Sequence, residues 1–395
     1  MISFTTLINY FIVLGVILLS KSLYFESFGS NILLLPFMCL IYIFYFNKNN
    51  LIVSKSLLIF SIFSILIIIA NPNYRDISVY TYIVRVFIAF AIVHYITFEK
   101  FSEIFIKIIF FISGISLLYI FIIYFNIPSI LDNLISLPNS QYRNFIFFAI
   151  PVDFINYQIF RNSGLWCEPG AFQIFVNISF IFLIVNNTLN YKKYIFILLI
   201  IISIGSTTGF IVFSLLSIVY YKTLYYIKFS LFMKLSIIVL LVVLMALFIP
   251  NIIIKFTENS SLLSRYYDLI ISINMFTDNI IFGYGFGNQL IYSVNYGENL
   301  LGYQLYHSSM GPTGSDGITM LISQIGILSF ILLVPFLFPG YCKKLSIFQS
   351  ILISISLLLM FNTENLTFYL IFIVLTFYGF KESMYKVTKV TKVTK

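Results

Sequence analysis

Charge is what this chain has least of. Only 9% of its 395 residues are Asp, Glu, Lys or Arg, against roughly 25% in an ordinary soluble domain. Water is therefore excluded as its main solvent. Cysteine is nearly absent as well. Cys39, Cys167 and Cys342 are expected in a helix, on the outside and on the inside of a membrane, so no disulfide framework and no Cys/His metal pattern is open to them. Histidine occurs twice, as His94 and His307, and tryptophan once, as Trp166. The alternating ten-residue segments of a membrane β-barrel are missing. The first apolar segment, near 4–20, lacks a basic leader and a small-residue cleavage site, which marks it as a retained helix.

What fills the chain is apolar sequence: 60% hydrophobic residues, 19% aromatic, mean hydropathy +1.01. Runs of roughly 17–25 apolar residues recur along the length, each able to cross a hydrocarbon core of about 30 Å as a helix. The expected spans lie near 4–20, 31–46, 51–70, 77–97, 104–125, 170–187, 193–204, 208–222, 235–250, 317–338, 346–361 and 366–380. The fold class is an all-α polytopic integral membrane protein of about twelve helices, forming a single membrane domain over 1–380 with a basic cytoplasmic tail over 381–395. The segments flanking "GSTTG", 205–209, read as two helices joined by a tight turn.

Lysine sets the orientation. With both termini in the cytoplasm, 16 of 18 lysines fall inside, as short loops require. The two exceptions are Lys21 and Lys255. The net charge of +9 is therefore a topology signal, not a nucleic-acid signature. The tail "KVTKVTKVTK" reads as disordered, near anionic headgroups. All five arginines (Arg75, Arg85, Arg143, Arg161 and Arg265) fall outside or at the outer end of a helix, and so do eleven of the fourteen acidic residues. Polar chemistry is thus concentrated on one face. Two long loops carry most of it, about 126–169 and 251–316, and both are dense in Tyr and Phe.

Four stretches stand out. "RNSGLWCEPGAF", 161–172, holds Arg161, Gly164, Trp166 and Glu168 ahead of Pro169, a residue favoured in the first turn of a helix. Glu168 then lies at the helix N-cap, where the helix dipole favours a carboxylate. The bland reading is a capping Glu and a snorkelling Arg. "SSLLSRYYDLIISINMFTD", 260–278, has apolar positions at helical spacing (Leu263, Tyr266, Leu269, Ile270, Ile273, Phe276, with Ile280 beyond) and reads as an amphipathic helix on the bundle or in the interface. Arg265 in its first turn is either an anion ligand or the partner of Asp268. "GYGFG", 283–287, offers Gly283, Tyr284 and Gly285 for a sharp turn and close approach of backbone to a substrate. "YHSSMGPTGSDG", 306–317, contributes His307, a natural base near neutral pH, and Asp316 at the entry to the next helix, where capping is the alternative.

The pattern Arg161-x-x-Gly164-x-x-x-Glu168-Pro169, followed by an Arg helix, a glycine-rich turn, a His/Ser/Asp stretch and a helix beginning "LISQIGILSF", resembles the bacterial O-antigen polymerase (Wzy-type) within the O-antigen polymerase and ligase superfamily. That resemblance implies a GT-C-like membrane glycosyltransferase at the periplasmic face of the inner membrane, joining repeat units carried on undecaprenyl pyrophosphate. It implies that Arg161, Arg265 and Arg143 hold the pyrophosphate, that Glu168, His307 or Asp316 deprotonates the acceptor hydroxyl, with Glu168 first among them, and that Gly164, Trp166, Gly283, Tyr284 and Gly285 approach the glycan. No cofactor, metal or nucleic acid enters. The implied partners are the lipid-linked donor and acceptor, membrane lipid and a chain-length regulator. The rival expectations are an O-antigen ligase transferring glycan to lipid A core and, further off, a flippase for the same lipid, though no internal repeat of the kind transporters carry is present.

Overall fold

A computed structural model describes residues 4–22, 37, 55–69, 77–124, 135–136, 142–145, 148–151, 161–166, 168–224, 260–286, 296 and 316–393. The expected spans 31–46 and 235–250, together with His307, Gly287, Cys39, Cys167 and Arg75, lie essentially outside these residues. The helices are α1 (Phe4–Leu18), α2 (Lys55–Ile69), α3 (Ile77–Tyr95), α4 (Phe98–Tyr124), α5 (Pro169–Val185), α6 (Tyr191–Ile204), α7 (Thr207–Leu224), α8 (Ser260–Asp278), α9 (Gly317–Ile325), α10 (Phe330–Leu337), α11 (Ile347–Thr363) and α12 (Leu370–Val393).

The architecture is that of a helical membrane protein. Ser78–Tyr95, Phe98–Ile120 and the broken Gly317–Cys342 segment are long and apolar enough to cross a bilayer, and Phe4–Leu18, Leu57–Ile69, Pro169–Val185, Thr207–Tyr221 and Ile347–Thr363 are shorter apolar helices. Large apolar side chains such as Phe4, Ile59, Phe111, Leu118 and Ile347 stand exposed on the outer helix faces. Water would not tolerate that surface, but lipid requires it.

At the centre runs α5. Every residue from Ala171 to Val185 is buried, as a helix apolar on all sides must be. It packs against α4, α6, α7 and α11. Its polar residues stay within the bundle: Asn177 Nδ2 donates to Gln173 Oε1 at 2.9 Å and to the Gly209 carbonyl at 3.3 Å. Gly209 is required there because a Cβ would meet Gln173 at 2.9 Å. A second group of helices, α1, α2, α3 and α10, surrounds α12.

Capping follows ordinary rules where nothing else is at stake. Asn190 accepts from the Lys193 N–H to start α6, and Gly205 ends it in the left-handed region at φ 61°. Ser346 and Gln349 form a capping box on α11. The turn between α6 and α7 is the tight connection that "GSTTG" suggests.

Three features differ from the sequence reading. Residues 135–151 carry a small antiparallel sheet, β1 (Ile135–Ser136), β2 (Tyr142–Phe145) and β3 (Phe148–Pro151), in the order β1-β2-β3. The all-α expectation therefore gains a ribbon, in a stretch rich in aromatic and branched residues that suit a strand. The segment 317–338 is not one helix. It breaks into a 3-10 turn at Gly326, whose left-handed φ of 68° leaves the helical region, and only glycine fits there because a Cβ would strike the Ile280 and Ile281 carbonyls. The last helix continues to Val393, with no Gly or Pro after Gly379 to stop it.

Amphipathic α8 has the expected period, and of the two expected placements its exposed apolar stripe fits the interface. Ser264, Asp268, Ile271, Ser272 and Met275 are buried, whereas Tyr266, Leu269, Ile273 and Ile280 are exposed. Its mixed polar face packs on α9, and its apolar stripe faces outward. In a membrane setting the stripe's natural partner is the lipid interface.

Candidate active site at the joined helix ends

The C-termini of α1, α6 and α11 and the N-termini of α5, α7, α9 and α12 meet at one end of the bundle. Backbone ties weld them. The Trp166 indole Nε1 donates to the Ser20 carbonyl at 3.0 Å, and Ser20 Oγ accepts from the Ile371 N–H at 3.1 Å. Thr367 Oγ1 donates to the Gly317 carbonyl at 3.0 Å, and Thr319 N–H to Asn362 Oδ1 at 3.3 Å. Gly317 has no room for a Cβ, which would lie 2.1 Å from the Phe361 carbonyl. From below, an Arg85 Nη1 donates to the Phe368 carbonyl while the guanidinium lies 5.4 Å from the Tyr369 ring centroid.

Glu168 and Asp316 sit at the N-caps of α5 and α9, where the sequence places them. Neither side chain makes the capping hydrogen bond, so the bland reading fails for both. Glu168 turns instead to Lys21, whose Nζ lies 3.3 Å from Glu168 Oε2 and 3.4 Å from Glu364 Oε2. Lys21 reaches them from a left-handed backbone at φ 60°, uncommon and mildly strained for a residue with a side chain. The two carboxyls are hydrogen-bonded to each other. Glu364 is buried, and its Oε1 occupies the space beside Gly170, where a Cβ would come within 1.8 Å.

The second carboxyl pair is Asp268 and Asp316, both buried. Arg265, half-buried on α8, acts on both groups of acids: its charge reaches Glu168, Glu364 and Asp316. Burial and the neighbouring Asp268 push Asp316 up to about 7 against the pull of Arg265 and Thr319. Burial also raises Glu364 to about 7, opposed by Lys21 and reinforced by Glu168. Burial works in the same direction on the more exposed Glu168, but Lys21, the hydrogen bond with Glu364 and Arg265 outweigh it and hold Glu168 below the usual carboxylate range.

Arg161 is nearby but differently employed. Its Nε donates to the Ile204 carbonyl at 3.2 Å and its Nη2 to the Gly205 carbonyl at 3.0 Å, closing the C-terminus of α6 as a cation does favourably. It remains within electrostatic reach of Glu364. Arg143 lies in the middle strand opposite Ser136 and Ile150.

The residues expected to approach a glycan have the following surroundings. Trp166 is fully buried, stacked on Phe172 and Phe175 at 5.2 and 4.3 Å, and has no free face for a sugar. Gly164 (φ 56°) makes the turn before it, closed by its N–H to Asn162 Oδ1. Gly283 and Gly285 serve helix packing: the Tyr284 and Gly285 N–H groups donate to the Ser323 and Gln324 carbonyls at 3.1 and 2.9 Å. Phe286 then wedges against Tyr82 and Phe368. Tyr284 hydroxyl meets Tyr296 at 2.6 Å, and Tyr296 donates to Asp278.

Two site residues escape the sequence reading. Lys21 was visible as one of the two lysines on the wrong side. Glu364 lies in a short connection, "NTENLT", where an acid resembles an ordinary helix-end residue; its position outside was the available signal.

A helical membrane bundle with cations and carboxyls gathered at joined helix ends is the class this geometry defines. Residues 194–311 match the O-antigen ligase family model, and that match supports the O-antigen polymerase and ligase superfamily for this chain. The matched stretch includes α6, α7 and the Arg265 helix. No curated protein matches the chain.

Proposed function

We propose that the protein is an O-antigen polymerase, transferring a glycan from its undecaprenyl pyrophosphate carrier to a hydroxyl of the next lipid-linked unit at the periplasmic face of the inner membrane. The observation that carries this reading is the pair of N-cap carboxyls, Glu168 and Asp316, released from capping and facing the same arginine. The leaving pyrophosphate is an anion, and Arg265, with Lys21 and Arg161 at the same helix ends, supplies charge where it develops; Arg143 remains a candidate from the sequence. The lysine asymmetry supports placing this end outside.

For the base, the structure favours a change of order. A general base works best with a pKa near the working pH. Asp316 meets that condition, whereas Glu168 is held ionised by its cations and suits substrate orientation better. His307 remains a candidate from the sequence. The exposed apolar stripe of α8 would rest in the headgroup region, bringing Arg265 to the depth of a lipid pyrophosphate.

The second reading is an O-antigen ligase, which the description of the matching family favours. Deletion of the gene separates the two. Loss of a polymerase is expected to leave surface lipid with a single repeat unit. Loss of a ligase leaves none and accumulates polymer on its carrier, and that pattern would replace the polymerase reading.

Gly170→Ala separates fold from chemistry. Alanine is the better helix former by about 1 kcal/mol, yet its Cβ displaces the Glu364 carboxyl. The expected outcome is a normal level of protein in the membrane with chain extension reduced on the order of 10²-fold, the size of effect that a 1 Å misplacement produces. Glycan ladders alongside membrane immunoblots measure both.

A further inference from the structure

We propose that Glu364 is a positioning residue that holds one proton for the site: its neutral carboxyl donates to Glu168, keeps that carboxylate ionised beside Lys21, and spares the diphosphate a second negative neighbour. The inference rests on the transferase reading for its catalytic consequence, but the proton itself follows from the geometry. One ammonium, Lys21, lies 3.3 and 3.4 Å from two carboxyls that also contact each other. A single cation in direct contact cannot neutralise both, and like charges this close do not ionise together.

Burial decides which carboxyl keeps the proton. Glu364 is 8% exposed at its side chain and Glu168 50%, so desolvation penalises the charge on Glu364. Among the described residues, the charged and titratable groups facing Glu364 are Lys21 at the end of α1, Glu168 at the start of α5, Arg265 on α8 and Arg161 ahead of α5. The acid nevertheless titrates high, near 7. Gly170 makes room for it, since a Cβ there would come within 1.8 Å of its Oε1.

Glutamine is the test, because its amide also donates to Glu168 and never ionises. Glu364→Gln is expected to keep chain extension at neutral pH within about twofold, while Glu364→Ala loses roughly tenfold or more, the worth of a hydrogen bond to a charged group. On the alkaline side of about 7 wild type is expected to lose activity as Glu364 ionises, and Glu364→Gln to lack that alkaline loss. Infrared spectra of the purified full-length protein in detergent read the proton directly. A protonated-carboxyl band that disappears on raising the pH should be present in wild type and in Asp316→Asn, and its Glu364 component absent in Glu364→Gln.

A glutamine variant as inactive as alanine at every pH, an unchanged alkaline limb, or a carboxyl band indifferent to Glu364 would overturn the proposal. The spectra do not depend on turnover. If wild type proved to extend no glycan while the Glu364 band remained, the transferase reading would fall and the shared proton would stand.

Discussion

Arg265→Ala is expected to stop chain extension while the protein stays in the membrane at its normal level. On the proposed reading Arg265 meets the pyrophosphate as it takes up charge, and removing one such donor from a preorganised site costs on the order of 10²–10³-fold in rate. Its position argues for a larger effect than that of any other cation here. It is half-buried, and its charge acts on Glu168, Glu364 and Asp316 together. Arg265→Lys should recover little, since an ammonium lacks the planar fork that binds two phosphate oxygens. Arg161→Ala should behave differently: it removes two hydrogen bonds to the end of α6 and should lower the amount of folded protein along with activity. Glycan ladders normalised to membrane immunoblots distinguish the cases. Full-length ladders from Arg265→Ala would remove the phosphate assignment.

The difference between these arginines shows where sequence reasoning reached and where it stopped. Spacing around Glu168-Pro169 and Asp316-Gly317 located both N-caps, because a proline and an apolar run announce a helix start. It could not say whether the carboxyls cap or turn away. For Glu168 that depends on Lys21 and Glu364, and Lys21 lies 147 residues from Glu168 and 343 from Glu364 along the chain. Gly283 and Gly285 were legible as places where something comes close. What comes close is the backbone of α9, and no residue type encodes the identity of a neighbour. Trp166 shows the same limit: an indole suits a sugar face and a buried hydrogen bond equally well, and residue type alone does not announce the burial found here.

The outward apolar stripe of α8 has a physical cause. An apolar stripe points to the core when the surroundings are water. Beside lipid the inside of a bundle is no more apolar than the outside, so small and polar residues take the packed face. Ser264, Asp268 and Ser272 are buried on those terms, and they bring Asp268 to Asp316. The acid pair was therefore legible only to a reading that had already settled the solvent.

Asp316→Asn is the other substitution expected to abolish turnover. As base for the acceptor hydroxyl, Asp316 must be ionised when substrate arrives and must accept a proton readily. Burial and Asp268 place it at about 7, where both conditions are met near physiological pH. Loss of a positioned general base costs typically 10²–10⁴-fold, and asparagine, isosteric and unable to accept that proton, should show such a loss across the whole pH range. The sign of the pH effect follows from the same number. Ionisation of Asp316 should raise wild-type activity as pH climbs to about 7, while ionisation of Glu364, also at about 7, lowers it beyond, giving a narrow bell. Stability moves oppositely to the acid limb. A carboxyl whose folded pKa is raised stabilises the fold fully below its unfolded value, roughly 3.9, and loses that contribution as pH rises through about 7. Asp316→Asn should therefore melt higher than wild type above neutral pH and little differently at pH well below 7. A variant that is inactive yet more stable in alkali identifies a group kept against the interest of the fold. An active Asp316→Asn would pass the role of base to Glu168 or His307.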